Sequence, residues 1–141
     1  MQRLNKWEQL LAEFIAKNNN TSFQWGVFDC CLFACDAVLA ITGVDMAQDF
    51  RGKYTTAKEA YEFVKNFAGD GLAELVAKRA QELGITEIKP LLAQRGDVVL
   101  VNKDGHDSLG IVGLDGRFAL CAAIKGLTQV LVKDCRKAYR I

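Results

Sequence analysis

Pro90, the only proline in the chain, marks a change of texture that restricts the fold more than any other feature. Before it, apolar residues recur at three- and four-residue spacing; after it, they gather into short runs separated by turn signals. Leu4, Trp7, Leu11 and Phe14, with Leu10 and Ile15, predict a first helix that stops in Asn18-Asn19-Asn20. A second runs from about Cys30 to Thr42 and closes at Gly43. It is apolar on nearly every side, the mark of a buried central helix. Ala57, Tyr61, Val64 and Ala68 set a third helix behind a Thr55-Thr56 cap. Leu72, Leu75, Val76, Ala80 and Leu83 set a fourth, ended by Gly84. Beyond Pro90, runs at 98–101, 109–112, 117–120, 130–132 and 138–141 predict five strands. Turns separate them at Lys103-Asp104-Gly105, Asp115-Gly116 and Lys125-Gly126. Helices first and a small antiparallel sheet second give an α+β fold, with the second helix packed on the sheet. Half of the 141 residues are hydrophobic, and neither repeat nor linker interrupts them, so residues 1–141 read as one domain.

Charge removes two classes of partner. Eighteen basic and 17 acidic residues are well mixed, for a net charge of +1, and no basic stripe suggests nucleic acid. No apolar run approaches the roughly 18 residues that span a bilayer. Charges in Met1–Glu8 stand where a signal peptide needs an apolar region. The five cysteines are an odd number, and Cys30, Cys31 and Cys35 share one predicted helix, so they read as reduced thiols of a protein made in a cytoplasm. Cys31 and Cys35 are four apart, but no second Cys or His pair completes a metal site; no metal and no cofactor is expected. Cys31, Cys35, Cys121 and Cys135 read as core filling.

Cys30 is different because of its flanks, Trp25-Gly26 and then Asp29-Cys30-Cys31-Leu32. Asp29 is a natural N-cap, which places Cys30 in the first helical turn. There the helix dipole and unpaired N–H groups favour the nucleophilic thiolate. The chain's one histidine, His106, is the available base, in the turn Lys103-Asp104-Gly105-His106-Asp107. Trp25 reads as a cap over the second helix. Asp97 reads as a hydrogen-bonding residue of the turn that opens the sheet.

Three segments together resemble the NlpC-type, papain-like cell-wall peptidases. Trp25-Gly26 ahead of Asp29-Cys30 is similar to that superfamily's Asp-Cys-Ser-Gly nucleophile motif. Arg95-Gly96-Asp97-Val98-Val99-Leu100 is similar to its Gly-Asp-Leu-Val strand. Leu109-Gly110-Ile111-Val112-Gly113, followed by Asp115-Gly116-Arg117-Phe118, resembles its His-Val-Gly-Ile strand and the next hairpin. The likeness covers residues 20 to 125 in the right order. The closing Cys135-Arg136-Lys137-Ala138-Tyr139-Arg140-Ile141 resembles a small NlpC-like family of unknown function found in bacteriophage tail gene clusters. The implied fold is papain-like, and the implied cleft is bordered by Trp25 and Asp29.

The chain departs from the superfamily where the chemistry lies. Ser108 stands at the position of the base histidine, and Leu120 at that of the group orienting it. His106 lies two residues before Ser108, so by strand alternation the two share a face, His106 about 6 to 7 Å further along. The resemblance therefore implies first a phage tail-tip or tail-assembly component with a degenerate site. Its partners are other tail-tip proteins; it is made in the host cytoplasm and placed in the virion tail. A second reading is a cysteine peptidase or amidase that cuts peptidoglycan stem peptides. In it Cys30 attacks, His106 moves the proton and helix N–H groups hold the oxyanion. A third is a thiol acyltransferase.

Overall fold

Four helices precede the sheet in the computed structural model, which describes residues 1–141: α1 (Trp7–Asn18), α2 (Leu32–Thr42), α3 (Ala57–Ala68) and α4 (Leu72–Glu82). The apolar stretch forms α2, which buries Leu32, Phe33, Ala37, Val38 and Ile41 almost completely. A helix apolar on nearly every side has little face to give to water, and it packs between α1 and the sheet with only Asp36, Leu39 and Ala40 reaching the surface. It ends where the Gly43 N–H returns to the Leu39 carbonyl at 2.8 Å. Thr56 caps α3, its hydroxyl accepting the Glu59 N–H at 3.2 Å.

The sheet has six strands, one more than expected: β1 (Thr86–Ile88), β2 (Val98–Lys103), β3 (His106–Val112), β4 (Phe118–Ala122), β5 (Leu127–Leu131) and β6 (Lys137–Arg140). Their spatial order is β1-β6-β2-β3-β4-β5, and every pair is antiparallel. The additional strand, β1, is a three-residue edge strand with two exposed residues, so it carries no apolar alternation. Val98, Leu100, Leu109, Ile111 and Leu120 point toward the helices. Val99, Val101, Val112, Ala119 and Cys121 form a second, smaller core on the other face with Val132 and Cys135. The sheet centre is thus covered on both faces, which is why β2 reads as an unbroken apolar run.

The β2–β3 hairpin is tighter than its sequence suggests. Pairing continues to Lys103 opposite His106, leaving Asp104 and Gly105 as a two-residue turn. Both have positive φ, 53° and 81°, the type I′ geometry that matches strand twist and that glycine adopts freely. His106 is therefore the first residue of β3 and not a loop residue. No helix is long and apolar enough to cross a membrane.

Asp97 opens β2 and is fully buried. Its Oδ2 accepts the Gln94 N–H at 2.8 Å, the turn bond expected of it. It also joins both ends of the chain. Oδ1 accepts from Arg3 Nη2 at 2.9 Å and from the Ile141 N–H at 3.1 Å, and Arg140 Nε lies 3.0 Å from Oδ2.

Candidate active site

The loop before α2 is fixed by one carboxylate. Asp29 has no solvent exposure, and four donors satisfy it. Oδ1 accepts the N–H groups of Cys31 and Leu32 at 3.0 and 2.9 Å. Oδ2 accepts the Gly26 N–H at 2.9 Å and the Tyr54 hydroxyl at 2.7 Å. Gly26 has φ 81°, and a Cβ there would collide with the Tyr54 carbonyl, so no other residue fits this crossing without rearrangement. Asp29 thus caps the helix as its type predicts, although regular helix begins at Leu32 and leaves Cys30 just outside it.

This cap has a chemical consequence opposite to the sequence expectation. The N–H groups of Cys31 and Leu32, which were to support a thiolate or an oxyanion, are spent on Asp29. Burial pushes the Cys30 thiol up to about 12, with Cys31 and the Asp29 charge adding to it; the N–H of Cys30 itself acts in the opposite sense and is outweighed. The expected thiolate is therefore corrected to a thiol at neutral pH. Burial likewise raises the Cys121 and Cys135 thiols, to about 11. The Cys31 thiol is raised by its hydrogen bond with Cys35 and by burial. Iodoacetamide at about pH 8 is expected to label Cys30 roughly 100-fold more slowly than free cysteine, with the rate climbing about tenfold per pH unit toward pH 11. Labelling at or above the free-cysteine rate would show an activated thiol.

The backbone of Cys30 is anchored to the sheet, its carbonyl accepting the Leu109 N–H at 3.0 Å. This bond brings the start of α2 against β3. Cys30 and His106 then line one cleft of about 380 Å³, together with Trp25, Asp29, Cys31 and Asp107. No hydrogen bond joins the thiol to the imidazole, and His106 is exposed at the mouth. Asp107 does not orient the ring, because its carboxylate accepts from Asn102 Nδ2 at 2.9 Å and from Arg136 Nη1 at 3.0 Å. Ser108, expected on the His106 side, lines a separate pocket beside Cys121. Leu120 faces the helix-side core, and Asp97 lies away from the cleft.

Two cleft residues carry no sequence signal. Tyr54 follows Arg51-Gly52-Lys53 in a stretch without periodicity, and only the fold shows its hydroxyl reaching Asp29. Tyr61 belongs to the amphipathic pattern of α3, which implies a core position; instead it is exposed and stands edge-on to Trp25.

No curated protein matches the chain in sequence. Among solved structures, the NlpC/p60 domain of the peptidoglycan hydrolase SagA is similar over 95% of this chain and 98% of that one, with a TM-score of 0.58 and 20% identity. At that identity the likeness establishes the architecture alone, an α+β papain-like fold of the NlpC type. Residues 2–141 match the family described as a domain of unknown function (DUF6950), and the chain belongs to that family.

Proposed function

We propose that this NlpC-type domain binds without cutting, as a tail-tip or tail-assembly component of a bacteriophage whose inherited active site is degenerate. The observation that carries the non-catalytic reading is the surroundings of Cys30. No imidazole is bonded to its thiol, the Cys31 and Leu32 N–H groups beside it are taken by the Asp29 carboxylate, and burial favours the neutral thiol. Cysteine hydrolysis needs a base within hydrogen-bond reach of the sulfur and a third group to orient that base. Neither Ser108 nor Leu120 supplies these functions. Support for the phage setting comes from the likeness of Cys135–Ile141 to the small tail-cluster family; in that setting the protein is made in the host cytoplasm and incorporated into the virion tail.

The rival reading, a cysteine peptidase acting on peptidoglycan stem peptides, draws support from one feature: His106 shares the cleft with Cys30. Incubation with purified muropeptides decides between the two. The wild type, Cys30→Ala and His106→Ala are all expected to release nothing above background. Hydrolysis by the wild type that both substitutions abolish establishes a working dyad and overturns the non-catalytic reading.

A further inference from the structure

The cleft extends well beyond Cys30 and His106. Its far walls are Phe50, Tyr54, Phe63, Val64, Leu72 and Leu75, drawn from α3, α4 and the segment between α2 and α3. One lysine, Lys65, reaches this space, and Asp70 lines it as well. A volume of about 380 Å³ falls in the range of small-ligand pockets and admits a large side chain.

The apolar surface continues outside the mouth. Trp25 packs edge-on against Tyr61 and Phe23, with ring centroids 6.1 and 4.9 Å apart. The Phe23 N–H bonds the Ile124 carbonyl at 3.2 Å, which brings the β4–β5 turn alongside. Tyr61 is 61% exposed. Aromatic groups gathered in this way beside an open apolar cavity mark an interaction surface. The rim is also rigid, because Gly26 is locked against Tyr54 and its N–H is held by Asp29. Binding there spends little on ordering the loop.

We propose that the cleft and rim bind an extended peptide segment of a partner protein, which inserts one large apolar side chain between α3 and α4. This names the ligand class for the non-catalytic reading above and rests on it. Charge argues for this occupant. A carboxylate-bearing stem peptide or a free fatty acid would bring an anion into a space lined by Asp29, Asp70 and Asp107 against the single Lys65, and an unmatched buried charge is costly; a cation finds Asp29 and Asp107 already taken by their own donors. A neutral backbone with a leucine or aromatic side chain brings none.

The test is an NMR titration of the ¹⁵N-labelled full chain with capped peptides acetyl-Ala-X-Ala-amide, where X is Leu, Trp, Glu or Lys, and with decanoate. The Leu and Trp peptides are expected to shift the Trp25 indole and the Tyr61 and Leu72 amides saturably. The Glu and Lys peptides should bind at least about tenfold more weakly. Tyr61→Ala, at an exposed site outside the core, should weaken the Trp peptide about tenfold with the remaining spectrum unchanged. Equal affinity for the charged peptides, shifts confined to residues outside the cleft, or binding of decanoate alone overturns the proposal. Cleavage of a bound Leu or Trp peptide, read by mass spectrometry, supports the apolar assignment and overturns the non-catalytic reading instead.

Discussion

Asp29→Ala is expected to destabilise the protein by about 4 kcal/mol, a fall of roughly 12 to 16 °C in melting temperature for a domain of this size. The carboxylate is fully buried and accepts from three backbone N–H groups and the Tyr54 hydroxyl. Alanine leaves those donors in a space that water does not reach, and each stranded donor costs about 1 to 3 kcal/mol before relaxation. Two companion variants apportion the loss. Tyr54→Phe removes one donor and one bond together and should cost about 1 to 2 kcal/mol. Asp29→Asn should fall between, since the Tyr54 hydroxyl can turn to accept from the amide whereas the Gly26 N–H cannot. Urea unfolding with unchanged m-values checks the series; a loss below about 1 kcal/mol for Asp29→Ala would mean that the carboxylate is not the keystone of this loop.

The second large effect is expected at the opposite side of the architecture. Asp97→Ala should cost about 3 to 4 kcal/mol, because it strands the N–H groups of Gln94 and Ile141 and leaves Arg3 and Arg140 facing each other without their shared anion. The damage should be local in hydrogen exchange. The amide of Leu4, bonded to the Ile41 carbonyl at 2.8 Å, should exchange much faster, while amides around the cleft keep their protection. Equal loss of protection at Cys31 and Leu32 would show that the two aspartates stabilise one cooperative unit rather than two.

The fold was legible where composition and period agree. A nearly all-apolar α2 admits one place, the centre, and β2 and the second half of β3 announce themselves by runs of Val, Leu and Ile. The first half of β3 is silent because His106, Asp107 and Ser108 are polar and pair with β2 alone, β4 joining only at Ile111 and Val112. Strand β1 is silent for the reason that edges often are: its pairing to β6 is backbone chemistry, independent of its side chains. Around the candidate site, the capping role of Asp29 was legible and the effect of its carboxylate on the neighbouring thiol was not. Asp29 next to Cys30 does place the thiol at a helix start. The side chain that does so also consumes the N–H groups and brings a negative charge beside the sulfur. Which of those effects dominates depends on burial, and the start of α2 is brought against β3, far along the chain, by the bond from the Leu109 N–H to the Cys30 carbonyl. The alternation rule placed His106 and Ser108 on one face, yet they line different pockets; His106 sits at the hairpin end, next to the Asp104-Gly105 turn.

Asp97 also changes how the order of the chain should be regarded. Arg3 arrives at it from the first residues and the Ile141 N–H from the last, and Arg3 Nε bonds the Ile141 carbonyl directly at 2.9 Å. The backbone is almost a closed ring, so a linker of a few residues between Met1 and Ile141 would complete it with little strain. Such a ring can be opened elsewhere, for instance at the exposed turn at Asp115, and still present the same packed layers. The helices-then-strands order along the sequence is one of several cuts through a single circular arrangement, and a reporter or tether attached at residue 1 or at residue 141 would leave the domain from the same side.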